Sequence, residues 1–346
     1  LLQARALLHR PSLTAAKEPP MPSALRRRTL LAASAATLAA PALAQAPWPT
    51  QPIRLIVPFG PGGSTDIIAR LMAEPMGAFL GQPVVVDNRA GGAATVGTGI
   101  AAMAAPDGYT LLFSTISGLA VGSTLYRGRI RWNADTSFAH IAIVFGTPYL
   151  LLVNPSFPAR DMAGFLAEAR RRVHGVEVAS SGIGSVNHLI ILRMAKLAGV
   201  PLLHVPYRGG AQAAMDAIAG TVPATIDSLT AASVHIRGER LRPLAISSAA
   251  RITGFDTIPT FRETGLDILA DGWAGICAPA GTPRPIQERI ADAIRHAQAQ
   301  TAVMERFEAT ATLPIKRFLD EAQDFVRSEV AAWAPLVIES GATPEG

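Results

Sequence analysis

Among 346 residues there is one cysteine, Cys277, so no internal disulfide can staple the chain and no thiolate cluster can hold a metal. It lies in the apolar stretch 273–278 and reads as a buried strand residue rather than a nucleophile. Charged residues are scarce at 16% and aromatics at 6%, while 49% of the chain is hydrophobic; that balance excludes a disordered polyelectrolyte and describes a globular protein. A basic field is a further absence. The formal excess of +5 lies wholly within residues 1–44, where Arg5, Arg10, Lys17, Arg26, Arg27 and Arg28 face Glu18 alone. The remainder is neutral and offers no basic field to nucleic acid or an anionic membrane. Long hydrophobic runs are missing too: past residue 44 the longest, 141–153, is broken by Gly146 and Pro148 and is too short to span a bilayer.

What is present begins with a leader. Arg26-Arg27-Arg28, an apolar run over 29–40 and small residues at 41–46 have the three regions of a secretory signal peptide. Cleavage is expected after Ala44 and translation from Met21, with residues 1–20 as an upstream extension. The arginines suit either the general secretory or the twin-arginine route. A leader of this kind predicts a periplasmic location.

The mature length suits two cores rather than one. Short β-branched runs alternate with amphipathic stretches, the pattern of mostly parallel sheets flanked by helices. Strands are expected at 53–58, 84–87, 110–114, 141–145, 150–154, 176–179, 202–205, 224–227, 241–247 and 272–278. Helices fall between them, and helices alone are expected to close the chain. This order predicts a two-lobed α/β protein with residues 45–148 plus 272–346 in one lobe and 149–271 in the other. The crossings near 146–149 and 271–273 form a hinge around a cleft. Nothing in the closing helices signals an oligomer, so a monomer is expected.

Four strand ends carry small, hydroxyl-rich turns. Phe59-Gly60-Pro61-Gly62-Gly63-Ser64-Thr65-Asp66 runs from a strand into a helix, where free backbone N–H groups attract an anion. It lacks the lysine of a phosphate-binding loop and the third glycine of a dinucleotide fingerprint. A tight turn capped by Ser64 or Thr65, with no ligand, is the alternative. Ser114, Thr115 and Ser117 follow a second strand; Ser180, Ser181, Gly182, Gly184, Ser185, Asn187 and His188 follow a third; Asp227 ends a fourth. Ligands of open α/β sheets sit at the carboxyl ends of strands, so these turns are expected to face one cleft. His188 either donates to a carboxylate or caps its helix; His204 reads as structural. Asp227 either meets a ligand amine or hydroxyl or fixes a loop. Arg208 reads as a solvated or loop-anchoring charge. There is no Gly-x-Ser-x-Gly elbow and no His-Glu-x-x-His, so nothing calls for an enzyme, a metal or a cofactor. A secreted hydrolase and a receptor feeding a sensor are the rival readings.

In order along the chain, Pro58-Phe59-x-Pro61-Gly62-Gly63-x-Thr65-Asp66, residues 81–89 (GQPVVVDNR), 106–112 (PDGYTLL), His204-Val205-Pro206-Tyr207-Arg208-Gly209 and 278–283 (APAGTP) resemble the Bug-type substrate-binding receptors of tripartite tricarboxylate transporters. The resemblance implies a type II periplasmic binding fold and a small carboxylate held by backbone amides and hydroxyls. It also implies docking on a two-component integral membrane permease, and it adds Tyr207 to the candidate binding residues. Gly60, Ser228 and Val121-Gly122-Ser123 depart from the family's usual residues, which leaves the ligand's far end the less defined.

Overall fold

A computed structural model describes residues 48–344, so the leader and its cleavage site lie outside the described residues. From Trp48 onward the chain forms one compact unit. It runs β1 (Ile53–Val57), α1 (Ser64–Leu80), β2 (Val84–Asn88), α2 (Thr95–Ala102) and β3 (Thr110–Thr115). A π-helical turn, Ser117–Val121, leads into the short α3 (Gly122–Leu125) and the long β4 (Phe138–Val153). Then come α4 (Met162–Arg171), β5 (Val176–Ser180), α5 (Val186–Ala198), β6 (Leu202–Pro206), α6 (Gly210–Ala219), β7 (Ala224–Ser228), α7 (Leu229–Arg237) and β8 (Arg242–Ile246). The last elements are β9 (Asp271–Pro279), α8 (Arg284–Gln298), α9 (Thr301–Ala309), β10 (Leu313–Phe318) and α10 (Asp320–Ser340).

The strands lie in the order β2-β1-β3-β9-β4-β7-β5-β6, with β8 and β10 also paired to β4. At one end β1 runs parallel to β2 and β3; at the other β5 runs parallel to β6 and β7. β4 is antiparallel to all its partners and belongs to both halves. Its first part pairs with β9 and β10, and Tyr149–Val153 pairs with β7. Where it passes from one half to the other, Gly146, Thr147 and Pro148 lie opposite Trp273, Gly272 and Asp271 of β9. Backbone pairing makes 138–153 one strand where the sequence suggests two, because Pro148 needs no donor at that position and Gly146 no side-chain room. The chain also does not close on helices alone. β10 was hidden because only Ile315 and Phe318 are half-buried, Pro314 interrupts the alternation, and the pairing bulges between Pro314 and Arg317.

Strands β1 and β3 are covered on both faces, which is why they read as nearly unbroken apolar runs. Ile53, Leu55, Ile56 and Val57 of β1 are wholly buried; such side chains each contribute about 1.5–3 kcal/mol on burial. Against this half α1 lays Ile68, Met72 and Met76, all with no exposure, and it ends at Gly81, whose left-handed φ of 76° costs a glycine nothing. Gly275 allows β9 its close approach to β4, since a Cβ there overlaps the Ala142 carbonyl and presses on Ile143. Gly275→Ala is therefore expected to cost about 1–3 kcal/mol, read as a lower urea midpoint at unchanged slope. An unchanged midpoint would show that the two strands part without strain.

Candidate functional site

The turns after β1, β3, β5 and β7 meet at the carboxyl ends of their strands, where both halves of the sheet face a common cleft. Phe59, Gly63, Ser64, Thr65, Thr115, Ser117, Ser181, Asn187 and Asp227 line it. The cavity is about 50 Å³, against the ~10–15 Å³ that one water needs.

The β1–α1 turn brings Ser64 and Thr65 to the cleft at the start of a 17-residue helix, whose first N–H groups have no partner inside the helix. Neither hydroxyl is engaged by another described residue. Asp66 does not line the cleft. It braces the turn, accepting from the Gly62 amide at 2.9 Å, Arg70 Nε at 3.0 Å and Asn88 Nδ2 at 2.9 Å. Burial raises the pKa of this carboxyl, but those donors and the Arg70 charge prevail and hold it below the usual carboxylate range. Gly60, Pro61 and Gly62 shape the same turn outside the cleft.

The β5–α5 turn divides its residues between structure and surface. Ser185 caps α5 by accepting from the His188 amide, and its hydroxyl donates to the Gly182 carbonyl at 2.7 Å. Ser180, wholly buried, has its Oγ 2.6 Å from His204 Nε2. The His204 ring stacks on His188 at 3.9 Å between centroids, and His188 Nδ1 accepts from the Gly184 amide. Burial lowers the pKa of His188 to about 4; burial and the neighbouring ring lower that of His204 to about 3. Both rings are thus neutral braces, and the Ser180–His204 contact, though short enough for a nucleophile and its base, has its hydroxyl wholly buried and lacks an orienting acid among the described residues. Ser181 and Asn187 do reach the cleft. Ser181 Oγ donates to Asn187 Oδ1 at 3.0 Å, and Asn187 Nδ2 donates to the Ile226 carbonyl at 2.6 Å, tying the end of β7 to the start of α5.

Ser114 is buried and does not line the cleft, while Ser117 lines it and accepts from the Val186 amide at 3.3 Å, joining the two halves. Tyr207 lies outside this cavity with its hydroxyl given to Asp216 at 2.8 Å. Asp227 is the cleft's only carboxylate. Its Oδ1 accepts from the Ser228 amide at 2.7 Å, whereas the buried Oδ2 has no partner. Burial pushes its pKa up to about 7 against the hydrogen bonds from Ser228.

Sequence reasoning missed Phe145, Thr147, Tyr149 and Trp273, which enter from the paired crossing of β4 and β9. Tyr149 has its ring against Gly272, where a Cβ would come within 2.6 Å of the phenol oxygen. Burial, with the Asp227 and Asp271 charges, holds that phenol neutral, so it is a donor. Trp273 gives its indole N–H to Glu329 of α10 at 2.9 Å. In sequence these residues are ordinary members of apolar strands, and no local pattern marks them. The cleft thus offers backbone amides, hydroxyls and one carboxylate, and no cation. Cys277 is wholly buried, with its thiol pKa raised by burial, and among the described residues no group of His, Cys, Asp or Glu is placed to hold a metal.

Residues 68–342 match the tripartite tricarboxylate transporter family receptor. The chain belongs to this receptor family. It is 37% identical over 309 residues, 89% of this chain and 94% of the relative, to Protein BugT of Bordetella pertussis. The structure of the periplasmic binding protein BugD superposes with a TM-score of 0.82 at 29% identity, covering 86% of this chain and 99% of that one. MatC from Rhodopseudomonas palustris with bound malate superposes with a TM-score of 0.78 at 28% identity, covering 84% and 100%. The receptor therefore has the two-lobed α/β architecture of periplasmic binding proteins, a class of binders and not of enzymes.

Proposed function

We propose that this receptor is exported to the periplasm, captures a small carboxylic acid between its lobes and hands it to a two-component membrane permease. The observation that carries the reading is the convergence of unengaged donors on one small cavity: Ser64 and Thr65 with the amides that open α1, and the neutral Tyr149 hydroxyl. Amides and hydroxyls bind a carboxylate without a counter-cation when they are fixed beforehand, and the hydrogen-bonded turns around Asp66 and Ser180 fix them. The malate complex of MatC supports an acid of this size and polarity.

In this reading the described residues 48–148 with 272–344 form one lobe and 149–271 the other, and the paired crossing of β4 and β9 is the hinge. Closure follows from contacts that only both lobes together make, such as Val186 N–H to Ser117 Oγ and Tyr126 Oη–H to the Ile183 carbonyl. The permease then reads the closed form.

Calorimetric titration with a panel of mono-, di- and hydroxycarboxylic acids tests the reading. Thr65→Ala and Ser181→Ala should each weaken the bound acid about tenfold, one charge-assisted hydrogen bond or its brace being lost, with melting temperature little changed. Unaltered affinity in both variants would falsify this placement of the ligand.

A further inference from the structure

Away from the cleft, α5, the 267–270 segment and α10 bound a second pocket of about 130 Å³, larger than the cleft itself. Its walls are apolar: Leu189 and Ile190 of α5, Ile268 ahead of β9, and Trp333 and Leu336 of α10. An apolar cavity of ~150 Å³ admits benzene, so the space is that of a single ring.

The polar side chains around this pocket are engaged, with one exception. Arg193 Nε donates to the Asp267 carbonyl at 3.1 Å, Arg262 Nε donates to the Asp267 carboxylate at 2.7 Å, and Lys196 pairs with Glu339 at 3.2 Å. The Ser340 hydroxyl donates to the Val337 carbonyl at 2.7 Å. Trp333 is the exception. It is only 9% exposed and lines the pocket, yet its indole N–H donates to no described residue. An indole nitrogen is a donor only, and a buried indole ordinarily finds an acceptor.

We propose that this pocket binds a neutral, ring-sized molecule whose one hydrogen-bond acceptor takes the Trp333 N–H, and that its occupancy tightens the cleft's hold on its acid. Neutrality follows from the rim, where the three cations are already engaged; a carboxylate buried there would go uncompensated. The coupling follows from position. In the lobe division proposed above, α5 and 267–270 belong to one lobe and α10 to the other, so a guest touching both favours the arrangement that holds both walls in place. The coupling rests on the cleft reading; the pocket itself does not.

Acetophenone is the probe, and α-methylstyrene, in which a methylene replaces the carbonyl oxygen, is its control. In proton–nitrogen correlation spectra of the mature protein, acetophenone should move the indole resonance that Trp333→Phe removes. In calorimetric titrations Trp333→Phe should weaken acetophenone about three- to tenfold, the effect of one neutral hydrogen bond, and leave α-methylstyrene nearly unchanged. Benzoate should need a higher concentration than acetophenone to move the same resonance. Saturating acetophenone should tighten the best-bound acid of the panel above about fivefold, and that acid should tighten acetophenone by the same factor. The site is overturned if acetophenone does not bind, if it leaves the Trp333 resonance in place, or if Trp333→Phe weakens both probes alike. Benzoate acting at lower concentration than acetophenone overturns the neutral class, and an acid affinity indifferent to acetophenone overturns the coupling. Should no acid bind at all, the cleft reading fails and the coupling with it, while the Trp333 resonance still decides the pocket.

Discussion

Asp227→Asn should raise the melting temperature by about 4–8 °C at pH 8 and hardly at all at pH 4. The carboxyl is buried at 5% exposure with one oxygen unpartnered, and its pKa stands near 7 against the ordinary 3.8. A raised carboxyl pKa means the folded state holds the proton more tightly than the unfolded state between those two values. Stability therefore falls as pH rises through that window; the penalty is absent below about 4 and complete above about 7, where it reaches about 4 kcal/mol at most. Asparagine keeps an acceptor for the Ser228 amide and carries no charge. Equal thermal shifts at both pH values would show that Asp227 is hydrated and not desolvated in the free receptor.

The second large effect has the opposite sign. His140, His188 and His204 are neutral in the fold, with pKa values lowered to about 4, about 4 and about 3. Burial is the main cause for each; His140 is 2% exposed, and its Nδ1 has no partner. A lowered histidine pKa contributes stability that is fully present above the unfolded value of 6.5 and is lost as pH falls toward 4. Between pH 7 and pH 5 the three together should remove about 4–6 kcal/mol, of which protonation of Asp227 returns about 2 kcal/mol. Protonating His188 also breaks its acceptance of the Gly184 amide and sets a charge on the stacked His204 ring. Urea denaturation as a function of pH measures the slope. His204→Gln, which keeps a partner for Ser180 but cannot ionise, should remove about a third of the histidine loss, and Asp227→Asn should steepen the acid limb. An acid limb untouched by His204→Gln would mean that the ring is solvated enough to ionise freely.

Much of the site was legible because its chemistry is local. A strand that ends in Gly62-Gly63-Ser64-Thr65 announces a turn into a helix, and Ser64 and Thr65 do face the cleft. The same reasoning over-counted at the third turn. Ser180, Ser185 and His188 have the same residue types as Ser181 and Asn187, yet they brace the turn from behind, and only the direction of each side chain separates the two groups. Asp66 lies outside the cleft for a related cause, spending its carboxylate on Arg70 and Asn88, and Tyr207, whose hydroxyl goes to Asp216, lines the neighbouring space instead.

The sequence by itself determined the alternation of strands and helices, the balance of charge beyond the leader, and the four polar turns. Each of these depends on periodicity or on the conformational preferences of neighbouring residues, which a local window contains. Tertiary structure alone decided that 138–153 is a single strand shared by both halves, that Tyr149 and Trp273 stand in the cleft, and that one oxygen of Asp227 is left without a partner. Those features arise from pairings between segments more than a hundred residues apart, such as Thr147 with Gly272, and from the burial they impose. Desolvation and hydrogen-bond satisfaction depend on every atom within a few ångströms in space, and the order of residues along the chain does not specify that neighbourhood until the sheet has closed.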